Sequence, residues 1–210
     1  MADKTIVHLL RHGEVYNPEH VLYGRLPDFH LSDNGRMMAD AAADYFAERD
    51  VIAVFASPLE RAQETALPTA ERKSLAIATD HGLIESANVL EGKTISLARL
   101  GLNPLNWRYL WNPVTPSWGE PYTQVAARMW QVVERARDAA RGHEAVCVSH
   151  QLPIWITRLA AQDKRLWHNP STRECALGSV TSFTFDGDAL AGVSYTVPPR
   201  RQLHDASAAQ

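Results

Sequence analysis

A chain of 210 residues with 45% hydrophobic content can bury one sizeable core and suits a single large domain better than two small ones. Its formal net charge of −3 gives no basic excess, which removes compositional support for nucleic acid or an anionic membrane surface as partner. Cys147 and Cys175 are its two cysteines, too few for a disulfide framework and without zinc-site spacing, so a reducing, cytoplasmic compartment is expected.

The first predicted element is the apolar, β-branched run "TIVHLL", a strand that ends against Arg11, His12, Gly13 and Glu14. It follows Asp3 and Lys4 and is too short for a signal segment, and no later run reaches membrane-spanning length. From Leu31, "LSDNGRMMADAAADYFAERD" offers Ser32 as N-cap of a helix with Met38, Ala41, Ala42, Tyr45 and Phe46 near one face. "VIAVFA" is a second strand, "SPLERAQETA" opens a second helix, and "LAIAT" is a third strand. The next segment, a Trp/Pro-rich insertion around residues 101–121, carries Trp107, Tyr109, Trp111 and Trp118 and reads as a lid or a packed cap. A helix from Tyr122 places Val125, Met129, Val132, Val133 and Ala136 on one face and stops at Gly142. "AVCVS" follows as a fourth strand, then two alternating segments around Asp186-Gly187-Asp188 read as a hairpin. This order predicts an α/β layered fold with an antiparallel edge in one domain over residues 1–200, and a mobile tail over 201–210.

Charged side chains recur at three of the predicted strand ends: Arg11 and His12 after the first, Arg61 after the second, His150 after the fourth. The carboxyl ends of strands form the site in open α/β sheets. Ser57 reads as N-cap, Pro58 as the first helical residue and Glu60 as the capping-box partner. Arg61 then projects from a helix's first turn, where backbone N–H groups also favour an anion. Singly, such residues are ordinarily solvated or capping groups; together they suit a phosphoryl group.

The motifs "LLRHGE", "SPLERAQETA" and "VSHQ", in that order, resemble the histidine phosphatase superfamily, also called the phosphoglycerate mutase-like family, over roughly residues 5–155. The resemblance implies a three-layer sandwich with a mostly parallel, mixed central sheet flanked by helices. It also implies that His12 is the nucleophile and briefly carries the phosphoryl group. Arg11 and Arg61 can offer donor forks to the equatorial oxygens, and His150 a further hydrogen bond. The family draws its general acid from a Leu-x-Glu context, which "HGLIESANVLEGKT" supplies at Glu85, with Glu91 as the alternative. Glu14 would repel phosphate and is expected to serve through structural hydrogen bonds.

Three departures bear on substrate contacts. Where family members commonly have Ser or Thr and then Asn after the nucleophile, this chain has Val15 and Pro18, with Asn17 one place early as a candidate phosphate ligand. The glycine common after the second histidine is replaced by Gln151-Leu152-Pro153, which narrows the pocket or adds an amide ligand. Arg25, in "YGRLPDFHLS", is a candidate second anion contact. The other histidines form no ligand-spaced cluster, so neither a metal nor another cofactor is expected.

The leading functional expectation is a phosphomonoesterase acting on a small phosphorylated metabolite through a phosphohistidine on His12. The alternatives are a mutase, which returns the phosphoryl group to a second hydroxyl, and a phospho-ligand-binding protein without turnover. The presence of Glu85, which binding alone does not require, disfavours the last. Oligomeric state is open, a homodimer included.

Overall fold

Strand alternation decides the layers. Val7 and Leu9 pack with one set of apolar residues and Leu10 with another, because successive side chains of a strand leave opposite faces. The computed structural model describes residues 4–87, 91–92 and 119–199. The Trp/Pro-rich insertion, apart from residues 119–121, and the tail expected over 201–210 lie outside the described residues.

Strand β1 (Lys4–Arg11) is followed by helix α1 (Asp33–Ala47), β2 (Val51–Ala56), α2 (Glu60–Lys73) and β3 (Ile77–Thr79). Helix α3 (Tyr122–Ala139), β4 (Glu144–Ser149), α4 (Gln151–Ala161), β5 (Val180–Asp186) and β6 (Ala189–Thr196) complete the described elements. The strands form one sheet in the order β3-β2-β4-β1-β5-β6. Pairings β3–β2, β2–β4 and β4–β1 are parallel, and β5 runs antiparallel to both β1 and β6. The expected mixed sheet and C-terminal hairpin are therefore present.

Helices cover both faces, completing the three layers. Phe46 and Ala42 of α1 and Ala62, Ala66 and Ala70 of α2 pack on Leu10, Val54, Val146 and Val148. On the opposite face, Val125, Met129, Val132 and Val133 of α3 and Ile154 and Ile156 of α4 meet Val7, Leu9, Cys147, Phe183 and Phe185. Burying aliphatic and aromatic side chains of this size contributes about 1.5–3 kcal/mol each. His8, fully buried, is bonded to Ser182 Oγ at 2.7 Å and Glu144 Oε2 at 2.9 Å and lies 5.1 Å from the Phe46 ring. Its role is structural.

The start of α1 fixes the loop that follows β1. Ser32 Oγ accepts from the Gly35 N–H, as its N-cap position predicts, and donates to Glu14 Oε1 at 2.6 Å, while Asn34 Nδ2 donates to Glu14 Oε2. Glu14 thus has the structural role expected of it. Backbone lies directly on backbone here: a Cβ at Gly35 would sit 2.0 Å from the Glu14 carbonyl oxygen, and one at Gly13 2.5 Å from that of Gly35.

Candidate active site

Three adjacent parallel strands, β2, β4 and β1, end side by side. The Ser57 N–H donates to the Val148 carbonyl at 3.0 Å and the His12 N–H to the Ser149 carbonyl at 3.1 Å. The ladder therefore places Ser57, His150 and His12 in a row across the sheet. His12 and His150 have ring centroids 5.1 Å apart.

His12 is 2% exposed, and its Nδ1 lies 2.7 Å from the Gly13 carbonyl oxygen. A carbonyl only accepts, so Nδ1 carries the proton and Nε2 keeps its lone pair. Burial, and then the charges of Arg61 and Arg11, depress the imidazole pKa to about 3. The ring is therefore neutral at physiological pH, with a lone pair available on Nε2.

Arg61 is fully buried in the first turn of α2, with its guanidinium 4.7 Å from the Tyr23 ring and Nη2 donating to the Gly24 carbonyl at 2.5 Å. Its Nε and Nη1 are buried without a hydrogen-bond partner among the described residues, as is Arg11 Nε. Arg11 Nη1 donates to the Cys175 carbonyl at 2.6 Å. Thr65 Oγ1 accepts from the Gly13 N–H and donates to the Arg61 carbonyl, locking α2 to the loop after β1. Leaving buried guanidinium N–H groups unmade is costly, so their position beside His12 marks a seat for an anion.

Helix α2 starts later than its sequence implies. Glu60 is its first residue, Leu59 its N-cap, no side chain caps it, and Glu60 Oε2 is buried without a partner among the described residues. The expected capping box is absent: Ser57 Oγ accepts only a long bond from the Leu59 N–H at 3.4 Å and lies 2.8 Å from His150 Nε2. That contact leaves Nδ1 of His150 as its buried, unpartnered atom. Burial, then the neighbouring His12 ring and the charges of Arg61, Arg128 and Arg11, hold this imidazole's pKa well below its ordinary value.

Of these groups, Arg11 and His12 line a cavity of about 340 Å³, while Arg61 and His150 lie behind its wall. Arg11 and His12 contribute to its lining together with Tyr23 and Gly24, Glu85 to Ala87, Glu120 and Tyr122, and Gln151, Leu152, Pro170 and Arg173. Glu85 follows a short 3-10 turn (His81–Leu83), and its Oε1 accepts from the Ser86 N–H at 2.8 Å. Burial raises its pKa, against the pull of that bond and of Arg61, Arg11 and Arg173. A carboxyl whose proton is held more tightly than usual, beside a cluster of guanidiniums, suits a general acid.

The remaining candidates sit differently. Asn17 is absent from the cavity lining, since Nδ2 donates to the Val21 carbonyl and Oδ1 accepts from the Val21 N–H. Arg25 lies beside the cavity with its guanidinium committed to the Glu85 carbonyl at 2.6 Å and to Glu120 Oε2 at 2.9 Å. Gln151 lines the cavity from the first residue of α4. Glu91 packs against Gly24, where an added Cβ would meet its side chain.

A family model described as the histidine phosphatase superfamily, branch 1, matches residues 7–197. The chain belongs to that superfamily. An uncharacterised protein of Mycobacterium tuberculosis is 56% identical over 199 residues, covering 94% of this chain and 98% of the relative. A glucosyl-3-phosphoglycerate phosphatase of the same organism is 32% identical over 124 residues, 57% of this chain and 55% of that protein. Among solved structures, the native mycobacterial glucosyl-3-phosphoglycerate phosphatase matches with a TM-score of 0.73 at 26% identity, covering 92% of this chain and 98% of that one. Bacillus stearothermophilus YhfR matches with a TM-score of 0.76 at 27% identity, covering 89% and 94%.

This histidine phosphatase lines its cavity with residues that sequence reasoning passed over: Tyr23, which covers Arg61, Glu120, which pairs with Arg25 and Arg128, and Arg173. The replacement of glycine by Gln151 is the sequence signal nearest to them.

Its buried histidines also set an acid limit on stability. His8, His12 and His150 are all held below the ordinary value of 6.5. Between 6.5 and those lower values the unfolded chain binds protons that the folded histidine phosphatase does not, so stability falls as pH falls. Glu85 and the exposed His30, with raised pKa values, act in the opposite sense, while His168 and Glu144, with lowered ones, act with the three buried rings. Urea midpoints measured from pH 7 down to pH 4 should decrease steadily. A flat profile would mean that these rings are protonated in the folded protein.

Proposed function

We propose that this histidine phosphatase hydrolyses small phosphomonoesters in two steps through a phosphohistidine on Nε2 of His12. The observation that carries the reading is the fixed tautomer: Nδ1–H is spent on the Gly13 carbonyl, and the free Nε2 lies beside buried guanidinium N–H groups with no partner among the described residues.

In the first step Nε2 attacks phosphorus, the bond to the leaving oxygen breaks, and Glu85 gives that oxygen its proton. Arg11 and Arg61, with Nδ1–H of His150, bind the non-bridging oxygens, whose charge spreads as the group moves. In this reading His150 carries its proton on Nδ1, and the Ser57 hydroxyl, 2.8 Å from Nε2, is the donor of that contact. In the second step the Glu85 carboxylate takes a proton from water, water attacks phosphorus, the P–N bond breaks, and His12 returns neutral with release of phosphate. Asn17 and Arg25 serve this reading indirectly: one closes the loop that carries Tyr23, the other holds the Glu85 backbone.

The charge stabilisation is assigned to guanidiniums, and no group of three or more His, Cys, Asp or Glu among the described residues is arranged to hold a metal. Protein dialysed against EDTA should therefore release inorganic phosphate from p-nitrophenyl phosphate and from alkyl phosphomonoesters at its original rate. Loss of turnover restored by a divalent ion would overturn the metal-free mechanism. Isomerisation of a phosphoglycerate without phosphate release would replace the hydrolase by a mutase.

A further inference from the structure

Glu85 rides on a segment with little regular structure: the 3-10 turn (His81–Leu83) ends before it, and residues 84–87 belong to neither helix nor strand. The carbonyl groups of such a segment must find donors outside a ladder. They find them on several sides. Arg128 Nη1 donates to the Gly82 carbonyl at 2.6 Å, Arg25 Nε to the Glu85 carbonyl at 2.6 Å, and the Glu120 N–H to the Ala87 carbonyl at 3.2 Å. Ser149, the residue before His150, adds a bond from its Oγ to the Leu83 carbonyl at 2.7 Å.

One side chain joins the two arginines. Glu120 Oε1 accepts from Arg128 Nε at 2.8 Å, and Oε2 accepts from Arg128 Nη2 at 3.0 Å and from Arg25 Nη2 at 2.9 Å. Arg25 comes from the loop between β1 and α1 and Arg128 from α3, so the carboxylate ties two separate elements to the strip that carries Glu85. Two guanidiniums aimed at one short stretch of backbone would repel each other without the anion between them. The Glu120 side chain is 14% exposed, a setting in which charge-assisted, forked bonds hold geometry well. Its own backbone lies directly on the same strip: a Cβ at Gly119 would sit 2.6 Å from the Ala87 carbonyl oxygen. Every one of these bonds ends on a main-chain carbonyl of residues 82–87 or on Glu120 itself. The arrangement therefore sets where the Glu85 carboxyl stands, and a displacement of about 1 Å in such a group is worth on the order of 10²-fold in rate.

Resting on the phosphatase reading above, we propose that Glu120 is a positioning residue for phosphoryl transfer, which through Arg25 and Arg128 holds the backbone of Glu85 where its carboxyl can reach the leaving oxygen.

The test is the leaving-group dependence of single-turnover phosphorylation. Glu120→Gln keeps the volume of the side chain, but its amide offers one acceptor oxygen and turns N–H donors toward a guanidinium. It should slow the saturated rate with glycerol 3-phosphate by roughly 10-fold or more and the rate with p-nitrophenyl phosphate much less. Arg25→Lys, which leaves the Glu120 to Arg128 bonds in place, should show the same pattern and carries the test if Glu120→Gln does not fold. Glu120→Asp, which keeps the carboxylate, should recover part of the loss. The double variant Glu120→Gln with Glu85→Gln separates aim from scaffold: once the acid is gone, the second change should cost glycerol 3-phosphate nothing further, whereas a general structural effect would multiply. Equal losses on the two substrates, multiplied losses in the double variant, or a loss confined to KM would each overturn the proposal. Where Glu85→Gln discriminates between the leaving groups and neither Glu120→Gln nor Arg25→Lys does, the positioning role falls and the general acid stands. Failure of Glu85→Gln itself to discriminate would overturn the general-acid reading and this proposal together.

Discussion

Replacing His12 by alanine should lower phosphoryl transfer by roughly 10⁴-fold or more, because the covalent route disappears while the anion seat remains. Arg11, Arg61 and His150 still bind the substrate, so its affinity should change far less than its turnover. Rapid quenching of the parent protein with labelled substrate should trap an acid-labile, base-stable phosphoryl group, and peptide mapping should place it on His12. His150→Ala should slow the transfer yet leave the label on His12, since the Nδ1 of His150 is assigned to the non-bridging oxygens. Label on His150, or on a serine or aspartate, would contradict the assignment. So would normal turnover in His12→Ala.

The second large effect concerns Glu85. Its proton matters in proportion to the basicity of the leaving oxygen: an alkoxide needs protonation, while p-nitrophenolate departs without it. Glu85→Gln keeps the size of the side chain and removes the transferable proton. It should slow phosphorylation by alkyl phosphates by roughly 10²-fold or more, within the range of general acid catalysis, and slow p-nitrophenyl phosphate much less. Arg61→Ala should impair both substrates alike, because both place the same charge on the transferring group. Single-turnover measurements are required, as hydrolysis of a common phosphoenzyme would mask the difference. Equal losses for the two leaving groups in Glu85→Gln would transfer the acid's role to Glu91 or to water.

What could be read from the residues was whatever is local. The capping of α1 by Ser32 depends on neighbours within one turn, and the convergence of Arg11, His12, Arg61 and His150 follows from parallel strands ending on one side. Contacts between distant segments were illegible. The Ser-Pro-Leu-Glu sequence carries every mark of a capping box, yet α2 begins only at Glu60, and the Ser57 hydroxyl meets a histidine 93 positions away in the chain. Asn17 and Arg25 have the right chemistry for anion contacts, and backbone carbonyls and Glu120 take it up first. Arg173 had no local signature, because what orients it comes from His168 and from Gln151 on α4.

The backbone contact between the loop after β1 and the first turn of α1 matters for anyone wishing to change what this protein accepts. Positions 13 and 35 contribute no functional group, yet neither has room for a methyl. A randomised library that includes them would lose activity for want of shape, and its failures would be mistaken for chemistry. Diversity belongs at Gln151, Leu152, Pro170 and Arg173, on the cavity wall, where side chains can change while the frame that aims His12 is left intact.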